Sequence, residues 1–156
     1  MRKTVLGITS LLCLHIISCT DQYTICTQSK FSNLNTSLRT FSNNLEINYT
    51  ASSLTLKTLD NNNFVYDQKA NISSISNPLV PATDSITYFI KVSTSLPADT
   101  FKVFFDTQML FLSIECGEII VHNISRISTT KNSIDSIKIV NPAVRNDYEN
   151  NLKIYY

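Results

Sequence analysis

Few side chains in this sequence could support catalysis, and their spacing limits what they could do. There are two histidines, His15 and His122, and four cysteines, Cys13, Cys19, Cys26 and Cys116. A metal or hydrolytic centre needs several ligands converging on one point. Glu118 and His122 lie four residues apart on an expected strand. At about 3.3 Å per residue they would be some 13 Å apart, so the pair is expected on a solvated strand face rather than around one ion. No nucleophile-elbow sequence accompanies His122. A chain with two glycines has no phosphate-cradling loop. Glu115 and Glu118 flank Cys116-Gly117 at an odd spacing, which points them to opposite faces of a strand. Asp147 and Glu149 share a face and could hold a cation with backbone oxygens, but a solvated turn is the expectation. The sequence therefore predicts no catalytic residue, no metal and no cofactor.

The cysteines are more specific. Arg2 and Lys3 precede a mostly apolar run over residues 4–17. A bilayer-spanning helix needs about 20 apolar residues, so this shorter run reads as a secretory signal. Ile16-Ile17-Ser18-Cys19 then resembles a bacterial lipobox, in which a diacylglyceryl group joins the cysteine sulfur and cleavage falls just before it. Ile16 stands where leucine is preferred, and His15 interrupts the apolar run. The expectation is a signal peptide over residues 1–18 and a lipidated Cys19. Each buried CH₂ of an acyl chain contributes about 0.8 kcal/mol, so palmitate-type chains on this one residue would hold the protein at a membrane. Cys13 leaves with the signal and Cys19 carries lipid. Cys26 and Cys116 remain, either as a disulfide or as two buried thiols. The export route favours the disulfide. It would close a 90-residue loop, for which chain entropy gives about 4–5 kcal/mol.

Removing residues 1–18 leaves 138 residues with a formal net charge of −1. That is enough for one domain with a core. No basic block interleaved with aromatics suggests nucleic acid. Gly117 is the only glycine after the signal, while asparagines cluster between apolar runs, as at Asn43-Asn44 and Asn61-Asn62-Asn63. Asparagine tolerates the left-handed conformation and can replace glycine in turns. Residues 19–34 read as a polar tether. From residue 35 to 156, apolar residues recur with period two. Ile86, Tyr88, Ile90 and Val92 share a face, as do Phe101, Val103 and Phe105. Leu152, Ile154 and Tyr156 close the chain. Turn chemistry at Asn77-Pro78, Leu96-Pro97-Ala98-Asp99 and Asn141-Pro142 separates the runs. The expected fold class is all-β: a single antiparallel β-sandwich or partly closed barrel of about seven to eight strands. Phe89 and Phe104 fall opposite their strands' main apolar sets and are candidates for a contact surface.

Several stretches resemble a family of uncharacterised Bacteroidota lipoproteins, a domain of unknown function. They are Ile25-Cys26, Leu79-Val80-Pro81, Thr100-Phe101-Lys102-Val103, Glu115-Cys116-Gly117 and the run from Asn132 to Pro142. The final Glu149-Asn150-Asn151-Leu152-Lys153-Ile154-Tyr155 also matches, so the resemblance is carried mainly by residues 79–156. It implies a short exported β-rich protein with paired cysteines and supplies no catalytic residue. Asp84-Ser85-Ile86 and Asp135-Ser136-Ile137 are similar to the Bacteroidota O-glycosylation pattern, which makes Ser85 and Ser136 candidate acceptors.

The functional expectation is a non-enzymatic envelope lipoprotein, anchored through Cys19, that binds another protein or a glycan or stabilises an assembly. Thr20 after the lipidated residue favours the outer membrane, and the sparse acidic signal in Thr20-Asp21-Gln22-Tyr23 favours its periplasmic face. The alternative is a carrier of a small apolar ligand, in an inter-sheet cavity lined by Tyr88, Phe101 and Phe105.

Overall fold

The computed structural model describes Cys26 and residues 29–156. The expected signal peptide, Cys19 and most of the expected tether lie outside the described residues. Among the described residues all regular structure is strand: β1 (Asn33–Ser42), β2 (Leu45–Asn48), β3 (Leu54–Thr58), β4 (Phe64–Lys69), β5 (Ser74–Pro78), β6 (Ser85–Lys91), β7 (Asp99–Ser113), β8 (Gly117–Thr129), β9 (Ser136–Ile139), β10 (Ala143–Val144) and β11 (Leu152–Tyr155). They form an all-β sandwich of a five-stranded sheet, β2-β1-β11-β9 with β5 also on β1, and a six-stranded sheet, β10-β8-β7-β6-β3-β4.

Alternation decides which residues meet between the sheets. Leu54 and Leu56 of β3, Ile86, Tyr88 and Ile90 of β6, and Phe101, Val103 and Phe105 of β7 point inward from one sheet. Leu34 and Leu38 of β1, Ile75 of β5, and Leu152 and Ile154 of β11 meet them from the other. Each such side chain contributes about 1.5–3 kcal/mol on burial. β11 sits between β1, parallel to it with Leu38 opposite Ile154, and β9, antiparallel to it with Ile137 opposite Ile154. The last residues of the chain are therefore an interior strand.

Among the described residues there are eleven strands, against the expected seven to eight. The principal extra strand, β1, is polar in sequence, yet it pairs with three neighbours. Its inward positions alternate Leu34, Thr36 and Leu38, and the hydroxyl breaks the apolar period. The boundary between a tether at 19–34 and a domain at 35–156 also shifts. Leu34 is in the core, and Phe31 forms a parallel bridge to Ile120. The Lys30 carbonyl accepts the Ile120 N–H at 2.9 Å, and Ser32 Oγ donates to the Ile120 carbonyl at 2.7 Å. The domain begins with the chain running along the edge of β8.

Asparagines do take glycine's place in turns. Asn43 and Asn44, with φ of 52° and 64°, form the two-residue link between paired Ser42 and Leu45. Two consecutive positive φ values describe a type I′ hairpin. Asn62 and Asn71 are also left-handed.

Two buried polar residues join the sheets. Asp99, 1% exposed, receives hydrogen bonds from the Asn132, Ser133 and Ile134 N–H groups and from the Thr130 and Ser133 hydroxyls, all at 2.7–2.9 Å. This cage fastens the link from β8 to β9, which crosses between sheets. Asn151 accepts the Asn35 N–H and donates to the Asn141 and Ala143 carbonyls. Asp99 lies in a stretch that reads as a turn in sequence.

Candidate functional site

The feature that stands out from the sandwich is the outer half of the β7–β8 hairpin. β7 pairs with β6 only as far as Phe104, opposite Ser85, and its register with β8 continues to Ser113, opposite Gly117. Beyond Phe105 the hairpin is an arm, and that edge of β7 has no strand partner among the described residues. Residues 106–112 are all exposed. Met109 is 72% exposed, Phe111 62% and Ile114 89%, with Leu110 and Leu112 also open. Met109 and Phe111 continue the inward face of Phe105, whereas Leu110 and Leu112 lie on the other face. The exposed β7 strand of this arm is thus apolar on both sides.

Cys116 lies in the turn at the tip and is disulfide-bonded to Cys26, with Cα atoms 5.0 Å apart. The disulfide expectation holds, and the bond lies at the tip of a protruding hairpin whose two strands are the apolar runs flanking Cys116. Because Phe31 pairs parallel to β8 at Ile120, the chain traced backwards from Phe31 heads towards the β8 start. It reaches Cys26 at the tip. Gly117 adopts φ +67°, the left-handed turn conformation that glycine tolerates best.

His122, expected on a solvated face, is buried at the base of the arm, 2% exposed. Phe104 pairs with Arg126 and Phe105 with Ile124, which leaves Ser125 as an extra residue. This bulge reverses the parity of the strand, so that Ile124 and His122 turn inward. His122 Nδ1 lies 3.0 Å from Thr107 Oγ1, and its ring stands edge-on to Phe105 at 5.0 Å. Nε2 has no hydrogen-bond partner among the described residues, and burial pushes the imidazole below its usual pKa. Glu118 stays exposed nearer the tip, apart from it.

The remaining candidates are dispersed. Asp147 Oδ1 accepts the Glu149 N–H at 3.2 Å, and Glu149 Oε2 accepts the Asn141 side chain at 2.7 Å. Both carboxylates thus serve local turns. Ser85, opening β6, donates to Asp84 Oδ1 at 3.0 Å, while Ser136 opens the edge strand β9 and is exposed. Tyr88 and Phe101 stack on each other at 5.0 Å, and Phe105 packs on His122. Of the side chains assigned to a carrier cavity, Tyr88 and Phe101 therefore fill space against each other and Phe105 against His122. Phe89 and Phe104 do face outward, but cations cover them. Lys57 Nζ lies 5.3 Å from the Phe89 ring centre, and Lys102 Nζ and the Arg126 guanidinium lie 4.9 and 4.0 Å from that of Phe104. The lysine and arginine stems shield rings that alternation alone would leave bare.

Two surface features had no counterpart in the sequence reading. On the outer face of the five-stranded sheet, Glu46 bridges Lys153 at 2.6 Å and Arg39 at 3.5 Å, and accepts the Tyr155 hydroxyl at 3.1 Å. The Lys153 hydrogen bond is the largest influence holding the Glu46 carboxyl below its usual pKa. Phe41 stacks on Tyr155 beside it. A groove of about 380 Å³ is lined by Asn33, Asn35, Ser76, Arg145, Asn146 and Tyr148. Its polar amides and single cation come from β1, β5 and the turn after β10, a long-range combination that no local motif announces.

No curated protein and no solved structure matches this chain significantly. A family model described as a family of unknown function (DUF6452) does match, over residues 53–156, from just before β3 to the C-terminus. That span begins well before residue 79, includes the whole arm and the interior strand β11, and shows that the chain belongs to this family of unknown function.

Proposed function

We propose that the protein is a non-enzymatic envelope lipoprotein of the Bacteroidota type. It is exported by its residue 1–18 signal, anchored to the outer membrane by lipid on Cys19, and serves there as a β-module that binds another protein or a glycan. The periplasmic face is its favoured side. The observation that carries the reading is the Cys26–Cys116 disulfide seven residues after the lipobox cysteine. Disulfides persist in oxidising compartments outside the cytosol, which fits export. The scattered acids and the shielded His122 fit a binding role better than catalysis, because chemistry needs convergent groups.

The test is metabolic palmitate labelling of the native protein and of Cys19→Ala, with cell fractionation. Labelling of the native chain in the outer-membrane fraction, lost in Cys19→Ala, is the expected result. Palmitate incorporation that persists in Cys19→Ala would refute the anchor, and turnover of a substrate by the purified protein would refute the non-enzymatic role.

A further inference from the structure

We infer that the tip of the β7–β8 arm is a membrane-contact element: Met109, Leu110, Phe111, Leu112 and Ile114 seat in the surface of the same bilayer that holds the lipid on Cys19. The inference rests on the lipid anchor proposed above. Three observations converge on it. Five exposed apolar side chains lie together on one protrusion, and Ile114 is the most open of the five. Ile119 and Val121, across from Leu110 and Gln108, are already buried, so the open part of the arm is Met109, Phe111 and Ile114 with the rims of Leu110 and Leu112. An exposed apolar patch of this kind marks a contact surface. The chain entering the domain runs along β8 from the tip and is bonded to the tip by Cys26–Cys116. Seven chain steps lead from Cys19 to Cys26. Fully extended they span at most about 25 Å, so the arm's tip is the part of the described structure held closest to the anchored lipid.

Glu115 and Glu118 stand beside the tip, so the attraction is apolar rather than electrostatic. The surface that fits is therefore the zwitterionic headgroup and upper acyl region. There the unpaired backbone edge of β7 can still meet water, as it could not in the hydrocarbon centre.

The chain contains no tryptophan, so a single introduced one reports alone. Full-length lipidated Phe111→Trp would be reconstituted into phosphatidylcholine vesicles with and without brominated acyl chains. Phe64→Trp, on the edge strand β4 at the far side of the six-stranded sheet, is the control. Acylation of each sample would be verified by mass spectrometry. The expected result is blue-shifted emission from Phe111→Trp, quenched about twofold by the bromolipids. That is the effect of a side chain about 5–10 Å into the headgroup boundary. Emission from Phe64→Trp should not change. Acylated Phe111→Trp with water-like, unquenched emission would overturn the inference and leave the anchor standing. Blue-shifted but unquenched emission would also overturn it, assigning the patch to a second copy if the particle doubles in mass and to the chain's own tether if it does not. A chain that carries no acyl group would overturn the anchor, and this inference with it.

Discussion

Replacing Asp99 with asparagine should cost more stability than any other near-isosteric change in this protein. The aspartate carboxylate accepts five hydrogen bonds, three of them from consecutive backbone N–H groups at Asn132, Ser133 and Ile134. An amide keeps one acceptor oxygen and turns two donors towards these groups. If its nitrogen takes the Oδ1 place it faces the Asn132 N–H; in the Oδ2 place it faces those of Ser133 and Ile134. Either way a buried donor loses its partner. Hydrogen bonds to charged groups contribute about 1.5–3 kcal/mol, and an orphaned buried donor costs about 1–3 kcal/mol, so Asp99→Asn should lose about 3 kcal/mol. In a domain of this size that is about 10 °C in Tm. The carboxylate also gives the effect a pH signature. Burial alone would raise its pKa from the ordinary 3.8, but the hydrogen bonds from Asn132, Thr130 and Ser133 outweigh burial and hold it at about 2. A folded pKa below the unfolded one contributes stability that is complete above pH 3.8 and is lost as pH falls towards about 2. The difference is worth about 2 kcal/mol. Urea denaturation of both proteins between pH 7 and pH 2 is the assay. Asp99→Asn within 0.5 kcal/mol of the native chain, about the range of a neutral surface substitution, would refute the reasoning. So would identical acid slopes for the two proteins.

Other substitutions probe other parts of the fold. His122 is buried with a lowered pKa, so the unfolded chain takes up protons that the fold excludes; stability should be complete above pH 6.5 and fall as pH drops below it. His122→Gln should flatten that part of the thermal stability profile. Ile154, fully buried between β1 and β9, should cost about 3 kcal/mol as Ile154→Ala, read from the urea midpoint. Cys26→Ser opens a link spanning 90 residues and should lower stability by about 2–4 kcal/mol. Thiol labelling of the unfolded, unreduced native chain should modify neither Cys26 nor Cys116.

Much of this protein was legible locally. A strand buried on one face must alternate, so the inward sets of β3, β6 and β11 and the first half of β7 could be read directly, and with them the all-β class. Asn43-Asn44 announced a turn because asparagine tolerates positive φ. With Cys13 read as part of a signal and Cys19 as a lipobox cysteine, Cys26 and Cys116 were left to pair. Wherever a residue's role depended on a distant partner, the sequence was silent. β1 is polar along much of its length, and only pairing with β2, β5 and β11 makes it central. Asp99 reads as a turn residue, yet its carboxylate holds the backbone of the β8–β9 link, and Asn151 joins β1 to the backbone at Asn141 and β10. One unpaired residue, Ser125, reversed the parity of β8 and carried His122 from the expected surface into the interior. The apolar run at residues 109–114 has the composition of a strand that is usually covered. Only the tertiary structure showed that β6 stops pairing before that run begins, which leaves it on an open arm beside the disulfide.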